Sequence, residues 1–214
     1  METRPQIEIE TGNGNGLMPA YTAVPTTAPP WPGVVVIHDF TGMSQDLRSH
    51  ADWLAREGFL AIAPDLYYWG SRLRCLRTIM RDLGPRRGRT FDDIEAARQW
   101  LRNHDGCTGV VGVVGFCMGG GYAIALAEGH GFDASAVNYG GCPSDARAWL
   151  PRACPVVGSF GGADKSPLGA GVPPPAISTC APSKYNELQP RSGELSSNVR
   201  SSDVELAPHS KHSV

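Results

Sequence analysis

The sequence predicts an α/β fold, a mostly parallel sheet with helices on both of its faces. Short β-branched runs such as GVVVIHDF (33–40) are typical of strands that are buried on both sides of a parallel sheet. Segments with helical spacing lie between these runs, and this β-α-β-α order requires crossover helices that cover the sheet.

The elements follow one another between residues 33 and 164. The predicted order is strand 33–40, helix 44–58, strand 59–67, a helix from about residue 90 to 104, strand 109–116, helix 118–128, strand 134–141 and a strand within 154–164. Ser44 is available as an N-cap of the first helix and Gly58 as its stop. Thr90 and Asp93 resemble a capping box at the start of the second helix.

Composition restricts the classes of function. A length of 214 residues with 41% hydrophobic content suits one globular domain. The net charge of -2 gives no reason to expect nucleic acid or membrane as a partner. The N-terminus METRPQIEIE lacks the apolar stretch of a secretion signal, so a cytoplasmic location is expected. Six cysteines without a C-x-x-C pair predict reduced thiols, no metal site and no cofactor.

The segment GFCMGGG (115–121) places a thiol between glycines where a strand meets a helix. This layout is typical of a nucleophile elbow, so Cys117 is the candidate nucleophile. At the start of a helix the thiolate is favoured, and the N–H of Met118 points toward a developing oxyanion. The alternative is an ordinary buried cysteine in a glycine-rich turn.

Four quoted segments extend the pattern: PGVVVIHDFTGMSQDLRSHADWLAREGFLAIAPDLY, GVVGFCMGGGYAIALA, VNYGG and PVVGSFGGADKSP. In this order and spacing, residues 30–168 resemble the dienelactone hydrolase family of α/β-hydrolases, which cleave small lactones or esters. The resemblance implies that Cys117 is the nucleophile, that Asp164 orients a catalytic histidine, and that Phe40 supplies the second oxyanion N–H. Asp39 stands where several members carry a glutamate beside the thiol, and His38 is assigned no chemistry.

Residues 71–89 (SRLRCLRTIMRDLGPRRGR) hold seven arginines and one aspartate. Arg74, Arg77 and Arg81 share one helical face, and members of the family use arginines near the site to hold a substrate carboxylate, which the planar guanidinium suits. We therefore expect a small anionic lactone or ester as the partner. A solvated basic face on a lid helix is the alternative, and the oligomeric state is left open.

The amino-acid composition changes after residue 168. Residues 169–214 hold nine Ser and six Pro against eight Ile, Leu and Val, a composition that cannot build much core. We predict an incomplete dienelactone-hydrolase-like domain over 1–168 and a disordered tail over 169–214. A change of reading frame or a fusion near residue 169 would account for this boundary, and an exposed apolar face and poor solubility should follow.

A catalytic histidine is missing from its expected place. In the family it lies one helix and one strand beyond the acid, in the stretch that the tail replaces. His130, in GHGF (129–132), lies 13 residues after Cys117, about 20 Å along the elbow helix. The flexible tail is long enough for His209 or His212 to reach Cys117, but no predicted element would hold either histidine in reacting geometry.

Three alternatives to an active hydrolase follow from the same residues. The first is a catalytically dead remnant of the family that lacks the base. The second is a redox-sensing thiol, which needs Cys107 or Cys142 near Cys117 as a resolving partner. A class I glutamine amidotransferase also uses G-x-C-x-G, but Gly121 stands where that class needs Gln and the late H-x-E pair is absent.

Overall fold

A computed structural model of the chain describes residues 6–14, 16–143 and 145–160. The strands are β1 (Gln6–Thr11), β2 (Gly16–Ala23), β3 (Trp31–Ile37), β4 (Leu60–Pro64), β5 (Cys107–Phe116), β6 (Ala134–Asn138) and β7 (Val156–Ser159). The helices are α1 (Gln45–Arg56), α2 (Arg72–Leu83), α3 (Arg89–Arg102), α4 (Met118–Ala125) and the short α5 (Ala146–Trp149). The predicted boundary at residue 168 lies outside the described ranges.

One seven-stranded sheet organises this part of the chain, in the order β1-β2-β4-β3-β5-β6-β7. The five strands from β4 to β7 are parallel, as predicted, whereas β2 pairs antiparallel with both β1 and β4. The sequence analysis did not predict β1 and β2. Because β1 alternates exposed and buried residues, it lacks the continuous apolar run by which the central strands were identified.

Helices cover both faces of the sheet. On one face α1 packs Leu47, Ala51 and Ala55 against side chains of β2, β3 and β4. On the other face α3 and α4 lie directly on the sheet, and α2 packs against both of them. No helix in the described ranges is long and apolar enough to cross a membrane.

Helix starts were predicted with mixed success. The Ser44 side chain accepts a hydrogen bond from the Leu47 N–H at 3.2 Å, so it is the N-cap of α1 as predicted. Thr90 is not an N-cap, because α3 begins one residue earlier and Gly88 holds the cap position. The buried carboxylate of Asp82 takes over this role, accepting hydrogen bonds from the Thr90 N–H and hydroxyl at 3.2 and 3.1 Å.

Successive strands are added to one side of β3 and then to its other side, so the strand order reverses between β3 and β5. It passes from β3 through α1 to β4 on one side, and the next sheet strand, β5, pairs with the other side of β3. In open parallel sheets, the crevice at such a switch point, beyond the carboxyl ends of the strands, is where ligands bind. Residues 38–42 follow β3 and Cys117 follows β5, so both border this crevice.

Candidate active site

Cys117 occupies a strained turn between the last residue of β5 and the first residue of α4. Its φ of 53° and ψ of -114° lie where residues other than glycine are rarely found. Such backbone strain costs about 1–3 kcal/mol and is concentrated at functional sites. The sharp turn predicted from GFCMGGG is therefore present, with the half-buried thiol at its apex.

Glycines make this turn possible because backbone passes directly over backbone. A Cβ on Gly115 would collide with the carbonyl oxygen of Gly119, and one on Gly119 would collide with that of Ile37. A Cβ on Gly120 would lie 2.7 Å from the Asn138 carbonyl oxygen. The start of α4 is thus pressed against the ends of β3 and β6, and no side chain fits between them.

Hydrogen bonds fix the turn on both sides. The Cys117 N–H donates to the carbonyl oxygen of Asn138 at 2.9 Å, and the Gly121 N–H donates to the carbonyl oxygen of Cys117 at 3.1 Å. Cys117 holds the N-cap position of α4, and its side chain makes no capping hydrogen bond. A helix N-terminus presents backbone N–H groups, here including that of Met118, and such groups favour anionic ligands.

The loop after β3, residues 38–42, is called the oxyanion loop below. The Asp39 carboxylate accepts hydrogen bonds from both the backbone N–H and the hydroxyl of Thr41. The carboxylate therefore folds back over its own loop. Phe40 is 53% exposed, and Gly42 turns the chain at a φ of +83°.

Tyr139 belongs to the same neighbourhood, although the sequence analysis assigned it no role. It follows β6 directly, has a φ of 44° and is 44% exposed. Burial raises the pKa of its hydroxyl, and the negative charges of Asp39, Cys117 and Asp46 raise it further. The tyrosine therefore lies within electrostatic reach of the loop and of the thiol, which spacing along the chain could not indicate.

The three arginines predicted to share a face do line one open groove on α2. Arg74, Arg77 and Arg81 border it together with Ser71, Leu73 and Thr78. Arg74 stacks over the ring of Trp69 at 5.4 Å, and Arg81 forms an ion pair with Asp82 at 3.0 Å. All the lining residues of this groove come from the segment 71–81.

Arg72, two residues before Arg74 in the same helix, contacts the oxyanion loop instead. One nitrogen of its guanidinium, Nη2, donates hydrogen bonds to the carbonyl oxygens of Phe40 at 3.0 Å and Thr41 at 2.6 Å. The sequence analysis counted it within the basic segment but gave it no role. Its contacts depend on how α2 lies against the sheet, so the helical periodicity of the segment contains no sign of them.

The histidines of the described ranges differ sharply in their surroundings. Both ring nitrogens of His38 are hydrogen-bonded, and the side chain is packed in the core. His130 packs on Phe91 at 5.1 Å, beyond the far end of α4, and burial lowers its pKa. The ring of His50 stacks at 4.4 Å on Phe116, the residue before Cys117. Asp164, His209 and His212 lie outside the described residues.

The redox alternative depends on the other cysteines in the described part of the chain. Its five cysteines are all free, and there is no group of three His, Cys, Asp or Glu side chains arranged to hold a metal ion. Burial raises the pKa of Cys142 to about 11, and Asp145 adds to this effect. A thiol with this pKa is poorly suited to act as the resolving cysteine of a redox sensor.

The sheet order and the elbow after β5 define an α/β-hydrolase. The sequence profile of the dienelactone hydrolase family matches residues 18–171, and the chain belongs to that family. A carboxymethylenebutenolidase from Pseudomonas putida is 31% identical over 144 residues, which are 63% of this chain and 60% of the relative. The match thus spans about three fifths of the length of that relative.

Two solved structures have the same fold. A candidate dienelactone hydrolase from Klebsiella pneumoniae superposes with a TM-score of 0.63 at 25% identity, covering 82% of this chain and 78% of its own. A dienelactone hydrolase-like promiscuous phosphotriesterase from metagenomic libraries gives 0.65 at 23% identity, with 82% and 75% covered. The predicted fold class and family are both confirmed.

Proposed function

We propose that the chain is a hydrolase of the dienelactone hydrolase type, with Cys117 as its nucleophile. The Cys117 sulfur attacks the acyl carbon of a small lactone or ester, a C–S bond forms and the C–O bond to the alcohol breaks. The alcohol oxygen leaves with a proton, and water then hydrolyses the thioester to release the acid and the free thiol. The observation that carries the proposal is the φ of 53° that Cys117 adopts between β5 and α4.

The oxyanion formed during the attack needs two donors. We assign them to the backbone N–H groups of Met118, at the start of α4, and of Phe40, in the oxyanion loop. In support, Gly119 lies against the carbonyl groups of Ile37 and His38, so the elbow and the loop are in direct contact. Backbone donors of this kind stabilise the charge that develops in the transition state.

The acid and the base of the site belong to the segment that follows Phe160. We propose that Asp164 orients the base, as in the family, and that His209 or His212 is the base if this chain turns over. In this proposal residues 1–168 form the incomplete hydrolase domain and 169–214 a tail. Activity of the chain by itself then depends on whether a histidine of the tail reaches the elbow.

The substrate is proposed to be a small lactone or ester that carries a carboxylate. Two findings support this: a relative is named for hydrolysis of such a lactone, and the open groove on α2 presents three arginines. A guanidinium binds a carboxylate through paired hydrogen bonds, which lysine cannot reproduce. Arg74, Arg77 and Arg81 are the proposed contacts.

A second candidate is a chain that is acylated but does not turn over. It is favoured by one observation: none of the histidines in residues 6–14, 16–143 and 145–160 makes a hydrogen bond to Cys117. The attack on an activated ester needs little help from a base, because a few per cent of an ordinary thiol is ionised near neutral pH. Hydrolysis of the thioester needs a base to activate water.

Pre-steady-state hydrolysis of 4-nitrophenyl acetate tests both candidates. A hydrolase gives a burst of nitrophenol followed by steady turnover, whereas the non-turning chain gives the burst alone. Cys117→Ala should abolish the burst, and His209→Ala or His212→Ala should stop only the turnover. A burst that survives Cys117→Ala would show that the reacting group lies elsewhere and would overturn the proposal.

A further inference from the structure

The peptide group between Asp39 and Phe40 is fixed by a hydrogen bond to the buried side chain of His38. The Nδ1 atom of His38 lies 2.6 Å from the carbonyl oxygen of Asp39, and the side chain of His38 is completely buried. In a trans peptide the C=O and the N–H point in opposite directions. Because the Asp39 carbonyl points into the core, the Phe40 N–H is directed outward, toward the crevice above the sheet.

The tautomer of His38 is fixed by its other nitrogen. The Leu66 N–H donates to Nε2 at 3.2 Å, so Nε2 carries no proton and the proton of the neutral ring resides on Nδ1. Burial lowers the pKa of His38, which keeps the ring neutral. The imidazole is thus a fixed N–H donor for the Asp39 carbonyl, and the start of the loop after β4 is what sets its direction.

The next peptide of the loop is held as well. The carbonyl oxygen of Phe40 accepts hydrogen bonds from the Tyr67 hydroxyl and from Arg72 Nη2, each at 3.0 Å. The Tyr67 ring lies 4.8 Å from the His38 ring, and the Arg72 guanidinium lies 5.6 Å from the Tyr67 ring centre. His38, Tyr67 and Arg72 therefore form one continuous cluster, the carbonyl clamp, beneath the loop.

We propose that the carbonyl clamp positions the second donor of the oxyanion hole, and that His38 is its main positioning residue. The clamp holds two consecutive carbonyl groups of the loop, so neither peptide can flip and the Phe40 N–H stays directed at the crevice. This inference rests on the proposed function, because it assigns a purpose to the loop only if Cys117 attacks a carbonyl carbon. None of the three side chains needs to touch the substrate.

The contacts of the loop itself support this role. Asp39 and Thr41 are hydrogen-bonded to each other, and the N–H of Gly42 donates to the Asp39 carbonyl oxygen at 3.3 Å. That oxygen therefore has two donors, one from the loop and one from His38. A flipped peptide would lose both bonds and would place the carbonyl oxygen where the developing oxyanion must bind.

Two reactions of the Cys117 thiol separate this role from general stabilisation of the fold. Acylation by 4-nitrophenyl acetate passes through an oxyanion, whereas alkylation by iodoacetamide displaces iodide at a saturated carbon and forms none. The ratio of the two second-order rate constants therefore reports the oxyanion hole, while thiol exposure and ionisation affect both rates. Mass spectrometry of the labelled chain identifies Cys117 as the modified residue, and neither reaction needs a base for turnover.

The variants are chosen to remove or retain the donor. His38→Leu should lower the ratio by about 10- to 100-fold, somewhat less than the loss of a whole oxyanion donor. His38→Asn keeps an N–H donor near the Nδ1 position and should retain most of the ratio. Tyr67→Phe and Arg72→Met remove partly exposed contacts and should lower the ratio by about 3- to 10-fold, even if His38→Leu does not fold.

Matched controls change a tyrosine and an arginine that are not part of the carbonyl clamp. Tyr68→Phe alters a hydroxyl bonded to Asp93 and Arg89, and Arg102→Met alters an exposed arginine at the end of α3. Both should leave the ratio within about twofold of the original chain. Circular dichroism of each variant confirms that the fold is retained before the rates are compared.

Each result decides between the two proposals. A ratio that falls in the clamp variants but not in His38→Asn or the controls supports the clamp. A ratio that does not change, or that changes equally in the controls, overturns the clamp and leaves the nucleophile intact. If Cys117→Ala does not abolish acylation of the chain, the proposed function fails, and the clamp fails with it.

Discussion

The N–H of Cys117 donates a hydrogen bond to the carbonyl oxygen of Asn138 at 2.9 Å, joining the elbow to the last residue of β6. The Asn138 side chain returns to the carbonyl oxygen of Gly115 at 3.4 Å. Two neighbouring strands therefore hold the strained turn from both sides. A backbone conformation that is costly by itself persists when the surrounding structure fixes it in this way.

The close approach at the elbow predicts that Gly119→Ala is strongly destabilising. The added Cβ would collide with the Ile37 carbonyl oxygen and lie 2.7 Å from that of His38, and neither backbone group can move without disrupting β3. We expect the free energy of unfolding in urea to fall by about 3 kcal/mol or more.

Gly141→Ala is the control for this substitution, because among the described residues no atom beyond its chain neighbours lies within 4 Å of the Cβ it would add. It should change the free energy of unfolding by less than about 1 kcal/mol. Equal effects of the two substitutions would mean that the strand-to-helix packing at the elbow is looser than its geometry indicates.

The buried imidazole of His38 predicts that the protein loses stability in acid. Its pKa is lowered in the folded chain, while in the unfolded chain it returns to its ordinary value of 6.5. The unfolded state therefore binds the proton first as the pH falls. The contribution of the neutral His38 ring to the free energy of unfolding is complete above pH 6.5. Below pH 6.5 this contribution declines by up to about 1.4 kcal/mol per pH unit, until the pH reaches the lowered pKa of the folded state.

Urea unfolding between about pH 5 and pH 8 measures this dependence. The slope should be shallower in His38→Asn, which cannot titrate in this range. His130→Gln should remove a smaller part, because the pKa of His130 is lowered as well but its ring is only partly buried. If His38→Asn has the same slope as the original chain, other groups account for the acid sensitivity.

The basic groove on α2 predicts selectivity for anionic esters. Replacing Arg74, Arg77 and Arg81 together by Gln should slow acylation of Cys117 by a carboxylate-bearing aryl ester about 10-fold or more, with little effect on a neutral ester of the same alcohol. The measurement is the ratio of the two burst rates.

A triple change of Arg56, Arg87 and Arg102 to Gln removes the same charge from exposed positions elsewhere. It controls for long-range attraction of the anionic ester, which salt also screens. A selectivity loss as large as that of the groove variant would assign the effect to net charge rather than to contacts in the groove.

An apolar groove on the α1 side of the sheet predicts self-association. Trp53, Phe59, Val110 and Val157 border this groove, with exposed fractions of 51%, 37%, 51% and 50% among the described residues. Apolar surface of this kind promotes association. Trp53→Gln combined with Val157→Thr should lower the light scattering of concentrated samples.

Leu73→Gln combined with Val24→Thr is the matched control. Leu73 is more exposed than Trp53, at 69% against 51%, and Val24 matches Val157, at 49% against 50%, but neither Leu73 nor Val24 borders the groove. The control should scatter light like the original chain. A decrease of the same size would show that association follows overall surface polarity and not this groove.

Much of the fold was predictable because its signals are local. The β-branched run of β3, the Ser44 cap of α1 and the glycines of the elbow each impose a conformation through neighbours along the chain. The parallel arrangement followed from the order of these elements. The hairpin of β1 and β2 was missed because a half-exposed edge pair has no long apolar run, and the turn signal GNGNG (12–16) between its strands was overlooked.

Side-chain partners distant in sequence were not predictable. Asp82 replaces Thr90 as the cap of α3 because α2 delivers a buried carboxylate to that helix end, eight residues away. In the same way Arg72, rather than a member of the predicted trio, reaches the Phe40 carbonyl oxygen. Helical periodicity shows which residues share a face but not what that face meets.

The sequence by itself determined the class of the fold, the family and the position of Cys117 at a tight turn, since β-branched runs, caps and glycines act within a few residues. The tertiary structure decided what surrounds that cysteine. It brought Tyr139 within electrostatic reach of the thiol, and it aimed the Leu66 N–H at the His38 ring that holds the Asp39 carbonyl oxygen. These contacts join separate strands of the sheet, and only the packing of the complete sheet and its helices fixes their distances and directions.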